Sequence, residues 1–281
     1  MPELPEVETI KNEIAPAVVG QCLKKVTVFD TKPIKDPSPA DFVVQTVGRT
    51  ITGLRRRGKY LIFDLSTPSA SSPEKAGRQD ISLIIHLKMS GALLVNPPED
   101  RKYRKVLFQL DNGTRLMFVD PRRFGSMWLV KDPETILSKL GPEPFSGGFT
   151  AGELARRLKG RNAPLKAVLL DQTMLAGVGN MYADEALFTA RIHPERRASD
   201  LTSGEVKLLY GAIKKVLSRA IERKGASTRD YVRPDGQPGG AHLEFSVAHR
   251  GGEPCPICGG PVARIVVRNR GTYYCPNCQR K

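Results

Sequence analysis

Cys255, Cys258, Cys275 and Cys278 are spaced C-x2-C, sixteen residues, C-x2-C. Each pair sets two thiolates on a tight knuckle, and two knuckles close a tetrahedral metal site. Four thiolates leave no open coordination position, so the expectation is one structural Zn2+ and no organic cofactor. Redox-active dithiols are the other use of C-x2-C, but no βαβ pattern surrounds these. A module this short cannot hold together by core burial, which makes metal binding its folding energy. The fifth cysteine, Cys22, lies alone in an apolar segment and reads as a buried core thiol. An odd total argues against a disulfide framework.

At the other end stand Met1, Pro2 and Glu3. Proline is small enough for an aminopeptidase to remove Met1, which would leave a secondary amine beside a carboxylate. α-Amino groups titrate near ~8 and lysine near ~10.4, so a terminal amine is up to about a hundredfold more available as a neutral nucleophile at pH 7. Adding to a sugar or carbonyl carbon, such an amine gives an imine or iminium, and a neighbouring carboxyl can move the protons. The same residues also read as an acidic leader without a role.

Four interior stretches add candidates. Arg55-Arg56-Arg57-Gly58-Lys59-Tyr60 puts four cations at a strand junction, a solvated turn except that Lys59 opens an apolar strand and could point into a cleft. His86-Leu87-Lys88-Met89-Ser90-Gly91 and Asp120-Pro121-Arg122-Arg123-Phe124-Gly125 are loops offering Met89, Arg122 and Phe124. Apolar wedges beside an arginine enter a base stack and replace an extruded nucleotide; either loop alone is also an ordinary surface loop. Gly177-Val178-Gly179-Asn180 opens a helix, where backbone amides hold a phosphate or simply make a packing turn.

The elements that must position these residues change character along the chain. Val7, Ile10, Ile14 and Val18 recur at helical spacing, predicting a helix from Pro5 to Val18 that ends at Gly20. Strands are expected at Leu23–Phe29, Thr50–Arg56, Tyr60–Leu65, Ser82–Leu87, Lys105–Leu110, Leu116–Val119 and Ser126–Val130, with Asp111-Asn112-Gly113 a hairpin turn. Many short strands imply an antiparallel sandwich or barrel. Thr67–Asp80 reads as an exposed loop. After a Gly/Pro-rich linker around Gly141 to Gly148 come helices at Pro164–Leu175, Asn180–Ala190 and Ser203–Arg223, with a short one before it at Pro133–Leu140 and capping-box spacing at Thr150/Glu153 and Thr202/Glu205. Lys224–Gly240 reads as a flexible loop. Arg264–Arg268 and Thr272–Tyr274 alternate as a hairpin between the cysteine pairs.

Lys and Arg total 44 against 29 Asp and Glu, a net charge of +15. That excess suits a polyanion, nucleic acid first and an anionic membrane surface second. No apolar run has membrane-spanning length and no secretory leader is evident, so a cytoplasmic, nucleoid-associated protein with no membrane partner is expected.

Taken in order, PELPEVE, GKYL, HLKMSG, DPRRFG, GPEP, GVGNMYADEALF, IHP and RGTYYCPNCQ span essentially the whole chain. This set closely resembles the bacterial formamidopyrimidine-DNA glycosylases, which excise 8-oxoguanine and ring-opened purines. The resemblance implies an α+β multidomain protein: an N-terminal antiparallel β-sandwich with an N-terminal helix (1–144), a helix-two-turn-helix DNA-binding domain (145–246) and a four-cysteine zinc-finger β-hairpin (247–281). It implies Pro2 as the nucleophile at C1′, Glu3 as general acid, Lys59 as proton donor in β-elimination, and Arg270 as δ-elimination partner and phosphate clamp. Met89, Arg122 and Phe124 match the trio that fills the void left by the flipped base. His86, Arg161 and Asn180 fall at backbone-contact positions, and Ser227 and Thr228 in the loop over the extruded base. Tyr103 stands where a phosphate-contacting histidine is usual, and Ala248-His249-Arg250 replaces a typical Tyr-Gly-Arg.

The expected activity is bifunctional: a base-excision DNA glycosylase for oxidised purines in double-stranded DNA with abasic-site lyase activity, acting as a monomer. Two alternatives stand beside it. An endonuclease VIII-like enzyme would prefer oxidised pyrimidines. A non-catalytic zinc-ribbon DNA-binding protein would explain the charge and the cysteines but not Pro2, Glu3 and Lys59.

Overall fold

The computed structural model describes residues 1–66 and 80–281, so the loop expected over Thr67–Asp80 lies, but for its last residue, outside the described residues. The chain forms two compact units. One contains Met1–Pro2, Glu6–Ser138 and Ala226–Gly239; the other contains Glu3–Pro5, Lys139–Gly225 and Gly240–Lys281.

Helix α1 (Leu4–Val18), which belongs to the first unit from Glu6 onward, buries Val7, Ile10, Ile14 and Val18 almost completely, the stripe that the spacing predicts. A four-stranded sheet has the order β1-β7-β8-β6, formed by Leu23–Val28, Arg104–Leu110, Arg115–Val119 and Ala92–Val95. A five-stranded sheet has the order β2-β9-β5-β4-β3, formed by Ile34–Asp36, Ser126–Val130, Ile81–His86, Tyr60–Leu65 and Ile51–Arg57. Alternate residues of both sheets, among them Leu61, Phe63, Leu65, Ile81, Leu83, Ile85, Val106, Phe108 and Phe118, join the α1 stripe in one core. This is a β-sandwich, as expected, with alternate residues of its strands turned to this core. Its strands pair antiparallel except β2 with β9, which run parallel.

Three elements escaped the sequence reading. Strand β2 is only three residues long. Helix α2 (Pro39–Thr46) is capped by Ser38, whose hydroxyl accepts from Asp41 N at 3.2 Å. That Ser-Pro start is a readable signal. Strand β6 is four residues flanked by loops. Cys22 is only half-buried, not a core thiol, because it makes a lone bridge to Thr50 at a strand end.

The second unit holds helices α4 (Ala151–Leu158), α5 (Leu165–Leu170), α6 (Asn180–Thr189) and α7 (Ser203–Glu222), with a short α3 (Glu134–Leu137) preceding the unit. Thr202 and Glu205 form a reciprocal capping box on α7. On α4 only half the box forms: Thr150 accepts from Glu153 N, while the Glu153 carboxylate turns to Arg156 and Arg157 at 2.7 and 2.6 Å. Helix α5 stops well short of Leu175, because the Asp171 side chain accepts from Thr173 N and turns the chain. The hairpin β10 (Ala263–Val267) and β11 (Arg270–Tyr274) turns through Arg268 and Asn269, both at positive φ (45° and 62°). Two left-handed residues match the right-handed strand twist, a type I′ arrangement.

Gly125 closes the Asp120–Gly125 loop against the sandwich core. A Cβ there would lie 2.4 Å from Phe118 Cζ, and the Phe118 ring is fully buried. Gly125→Ala is expected to lower unfolding free energy by about 1–3 kcal/mol through overpacking. Urea denaturation with an unchanged midpoint would contradict this packing.

Candidate active site and DNA-contact residues

Glu3 is built into the second unit. Its side chain is 2% exposed, and Oε1 accepts from Met181 N at 3.1 Å in the first turn of α6. Leu4 N donates to Gly177 O at 3.0 Å. A Cβ on Gly179 would fall 2.3 Å from the Glu3 carboxyl carbon, and one on Gly177 (φ +94°) 2.7 Å from Leu4. The Gly177–Asn180 turn, which the sequence offered as a phosphate cradle or a packing turn, therefore seats the chain's own carboxylate at a helix N-terminus, where the dipole favours an anion.

The same unit ties the metal hairpin to helices α5 and α6. Lys166 is fully buried; its Nζ reaches Asp184 Oδ1 at 2.7 Å, Thr272 Oγ1 at 2.9 Å and Gly271 O at 3.0 Å. Asp184 Oδ2 accepts from Tyr273 N at 3.1 Å, and Asn180 Nδ2 donates to Gly271 O at 3.0 Å. Strand β11 is thus pinned directly after the exposed Arg270. Burial pushes the Asp184 carboxyl up to about 7 and the Lys166 amine down, each opposed by the charge of the other. Nearby, Glu185 accepts from the backbone N–H groups of Ser246, Val247 and Ala248. His249 holds φ +64°, a left-handed position that glycine occupies at no steric cost. Arg161 donates to Arg157 O and Asp171 Oδ2, both at 3.1 Å.

The four cysteine sulfurs all lie within 4.8 Å of one another, with Cys255–Cys278 at 3.8 Å and Cys258–Cys275 at 3.4 Å. Tetrahedral zinc with Zn–S bonds of about 2.3 Å needs sulfurs about 3.8 Å apart. The set fits that ion, and Phe188, Val247 and Val262 pack around it.

In the first unit, Pro2 is buried while Met1 is 51% exposed. Lys59 occupies the two-residue turn between β3 and β4, after Gly58 at φ +57°, and is only 5% exposed. Lysine is rarely buried, so the position is unusual. His86 ends β5 beside Tyr60, its ring 4.5 Å from the Tyr60 ring. Burial, with Lys88 and Lys59 close by, holds the imidazole pKa down to about 3. Its Nδ1 accepts from Lys88 N at 2.9 Å, which leaves the proton on Nε2. Met89 and Phe124 are exposed, and Arg122 Nη1 lies 3.9 Å from Met89 Sδ. Buried Asp120 joins the two loops: it accepts from Ser90 Oγ at 2.6 Å, Gly125 N at 2.7 Å and Arg122 N at 3.2 Å. Tyr103 is 58% exposed at φ +64°. Ser227 Oγ donates to Tyr231 O at 2.8 Å and accepts from Gly239 N at 2.9 Å, stapling its own loop.

Sequence reading passed over Asp120, Lys166, Asp184 and Glu185. Their one signal is charge within otherwise apolar or loop-forming runs, and nothing local says which charges pair.

Lys166→Met leaves Asp184 buried without a cation and is expected to cost about 3–5 kcal/mol. A carboxyl whose folded pKa is raised contributes stability that is full below its ordinary value and lost as pH rises through the folded one. The deficit should therefore be smallest near pH 5 and widen through neutrality; thermal denaturation at both ends of that range checks it, and a pH-independent deficit would refute the pairing. Stripping metal with a chelator should release zinc and open the 252–280 segment to proteolysis; a hairpin still protected after zinc loss would show that the ion is dispensable.

Models of three domains match this chain: the formamidopyrimidine-DNA glycosylase N-terminal domain at residues 1–127, the formamidopyrimidine-DNA glycosylase H2TH domain at 140–232, and a zinc finger found in FPG and IleRS at 252–280. The formamidopyrimidine-DNA glycosylase of Symbiobacterium thermophilum is 44% identical over 99% of this chain and 89% of its own length. The crystal structure of the Thermus thermophilus MutM (Fpg) protein, 41% identical, superposes with a TM-score of 0.86 over 99% of this chain and 98% of that one. The Lactococcus lactis Fpg in complex with abasic-site DNA is 32% identical, with a TM-score of 0.88 over 99% of this chain and 100% of that one; a mutant of that protein is also seen with Fapy-dG DNA, and the wild type with DNA containing an oxidised pyrimidine. With relatives above 40% identity along its whole length and all three domains matched, the chain belongs to the formamidopyrimidine-DNA glycosylase family.

Proposed function

We propose that this protein is a bifunctional glycosylase and abasic-site lyase that removes 8-oxoguanine and formamidopyrimidines from double-stranded DNA. The observation that carries the reading is the seat of Glu3. A buried carboxylate fixed on the first turn of α6 holds the residue next to Pro2, so the proline nitrogen is not the end of a floppy leader.

With Met1 removed, the Pro2 nitrogen attacks C1′ of the damaged nucleoside and the base departs. The Glu3 carboxylate takes the proton that the nitrogen gives up and delivers it to the ring oxygen as the sugar opens, which leaves the nitrogen as an iminium. Lys59, in its turn between β3 and β4, serves proton transfer in β-elimination. Arg270 clamps the phosphate and assists δ-elimination. His86, neutral with its proton on Nε2, is a hydrogen-bond donor to the DNA backbone rather than a cation, with Tyr103, Arg161 and Asn180 at further backbone contacts. Met89, Arg122 and Phe124 fill the gap left by the flipped base, Arg122 facing the orphaned cytosine, while Ser227 and Thr228 belong to the loop over the extruded base. Cys255, Cys258, Cys275 and Cys278 would hold zinc, which would fix the hairpin that presents Arg270 without entering the chemistry. The excess of positive charge attracts the polyanionic duplex, with a salt dependence that follows from counterion release.

Borohydride reduces an iminium to a stable amine, so incubation with an 8-oxoguanine duplex should trap a covalent complex whose peptide map places the link at Pro2. A chain retaining Met1 has an amide at that nitrogen and should give no adduct; an unchanged crosslink would overturn the assignment. Excision of 8-oxoguanine opposite cytosine should outpace excision of thymine glycol. The reverse order would support the pyrimidine-directed alternative, and an intact duplex at saturating binding the non-catalytic one.

A further inference from the structure

The loop carrying Ser227 and Thr228, expected to be flexible, is fastened along one stripe of α1. Glu6, Thr9 and Glu13 stand at i, i+3 and i+7 and so share a helix face. Buried Glu6 accepts from Ala226 N at 2.8 Å. Thr9 hydrogen-bonds with Tyr231, whose ring is buried in the sandwich core. Glu13 receives a fork from Arg233: Nε at 2.9 and 3.2 Å from its two oxygens and Nη2 at 2.8 Å. Arg233 itself is set by its own turn, with its N–H bonded to Gln237 O and its carbonyl accepting from Gly236 N. Pro234 O accepts from Val95 N at the end of β6. The loop so held brings Asp230 to 3.7 Å from Arg122. Helix α1 begins two residues after Pro2, so the helix that carries the proposed nucleophile is also the rail on which this loop is mounted.

We propose that Arg233 and Glu13 are a positioning pair for base capture: their ion pair fixes the middle of the Ala226–Gly239 loop on α1 and so sets where Ser227 and Thr228 meet an extruded base. This rests on the glycosylase reading above. Neither side chain touches the reacting atoms, and their effect is confined to substrates that still carry a base. An abasic site has nothing for the loop to cover, while Pro2 and Lys59 act on its sugar in the same way.

The experiment compares single-turnover excision from a duplex with 8-oxoguanine opposite cytosine against strand cleavage of the same duplex with a preformed abasic site. Arg233→Gln and Glu13→Gln are each expected to slow excision about fivefold, the scale of a partly exposed charged pair, and to leave abasic-site cleavage within about twofold. The double variant Arg233→Glu with Glu13→Arg restores the pairing in reverse and should recover most of the lost excision. Single variants that excise at the wild-type rate, an equal loss on both duplexes, or a charge-swapped double variant slower than either single one would overturn the inference. A wild-type protein active on both duplexes with indifferent variants ends this inference alone; a wild type inactive on both ends the proposed function and the inference with it.

Discussion

A carboxylate on a helix N-terminus is the contact on which the rest depends. Glu3 is almost fully buried, and burying an anion is costly unless donors meet it. The Met181 N–H and the N-terminal dipole of α6 supply that compensation, and the approach exists only because position 179 has no Cβ. Leu4 adds a backbone bond to Gly177. The first residues of the chain, which would otherwise fray, are held at both main chain and side chain. For chemistry at a terminal amine this matters more than the amine's basicity, because covalent catalysis requires the nucleophile to wait at a fixed place.

A second constraint operates within the helical unit. Lys166 and Asp184 are enclosed, and each is tolerable only because of the other and of the β11 backbone. Such a pair is weak as a source of stability but strict about geometry, since any shift of the hairpin would strand a charge. The four cysteines gather at the base of the hairpin, where they would hold an ion, and Lys166, Asp184 and Asn180 fix the hairpin to helices α5 and α6. Arg270, immediately before the pinned residues, inherits that rigidity without being buried itself.

The sandwich unit uses the same economy in its loops. Asp120 gathers Ser90, Arg122 and Gly125, so one buried carboxylate sets both the Met89 loop and the Phe124 loop. Along α1, one stripe packs into the core while the adjacent stripe of Glu6, Thr9 and Glu13 receives the Ala226–Gly239 loop. The exposed Met89 and Phe124 are therefore side chains on a stiff base.

Much of this was legible in the sequence. Period 3.6 in Val7, Ile10, Ile14 and Val18 determined the helix, and a succession of short β-type runs separated by turn signals determined the sandwich, because both are written in residue order. The cysteine spacing determined a metal site because two knuckles need only local geometry. Short or weakly patterned pieces, β2, α2 and β6, were not legible. The fold alone settled the partnerships between residues far apart in the chain: Glu3 at Gly179, Lys166 with Asp184 and Thr272, Glu13 with Arg233. Each is a buried or half-buried charge whose partner lies many residues away, and a sequence records that a charge is present but not which opposite charge the fold will bring to it.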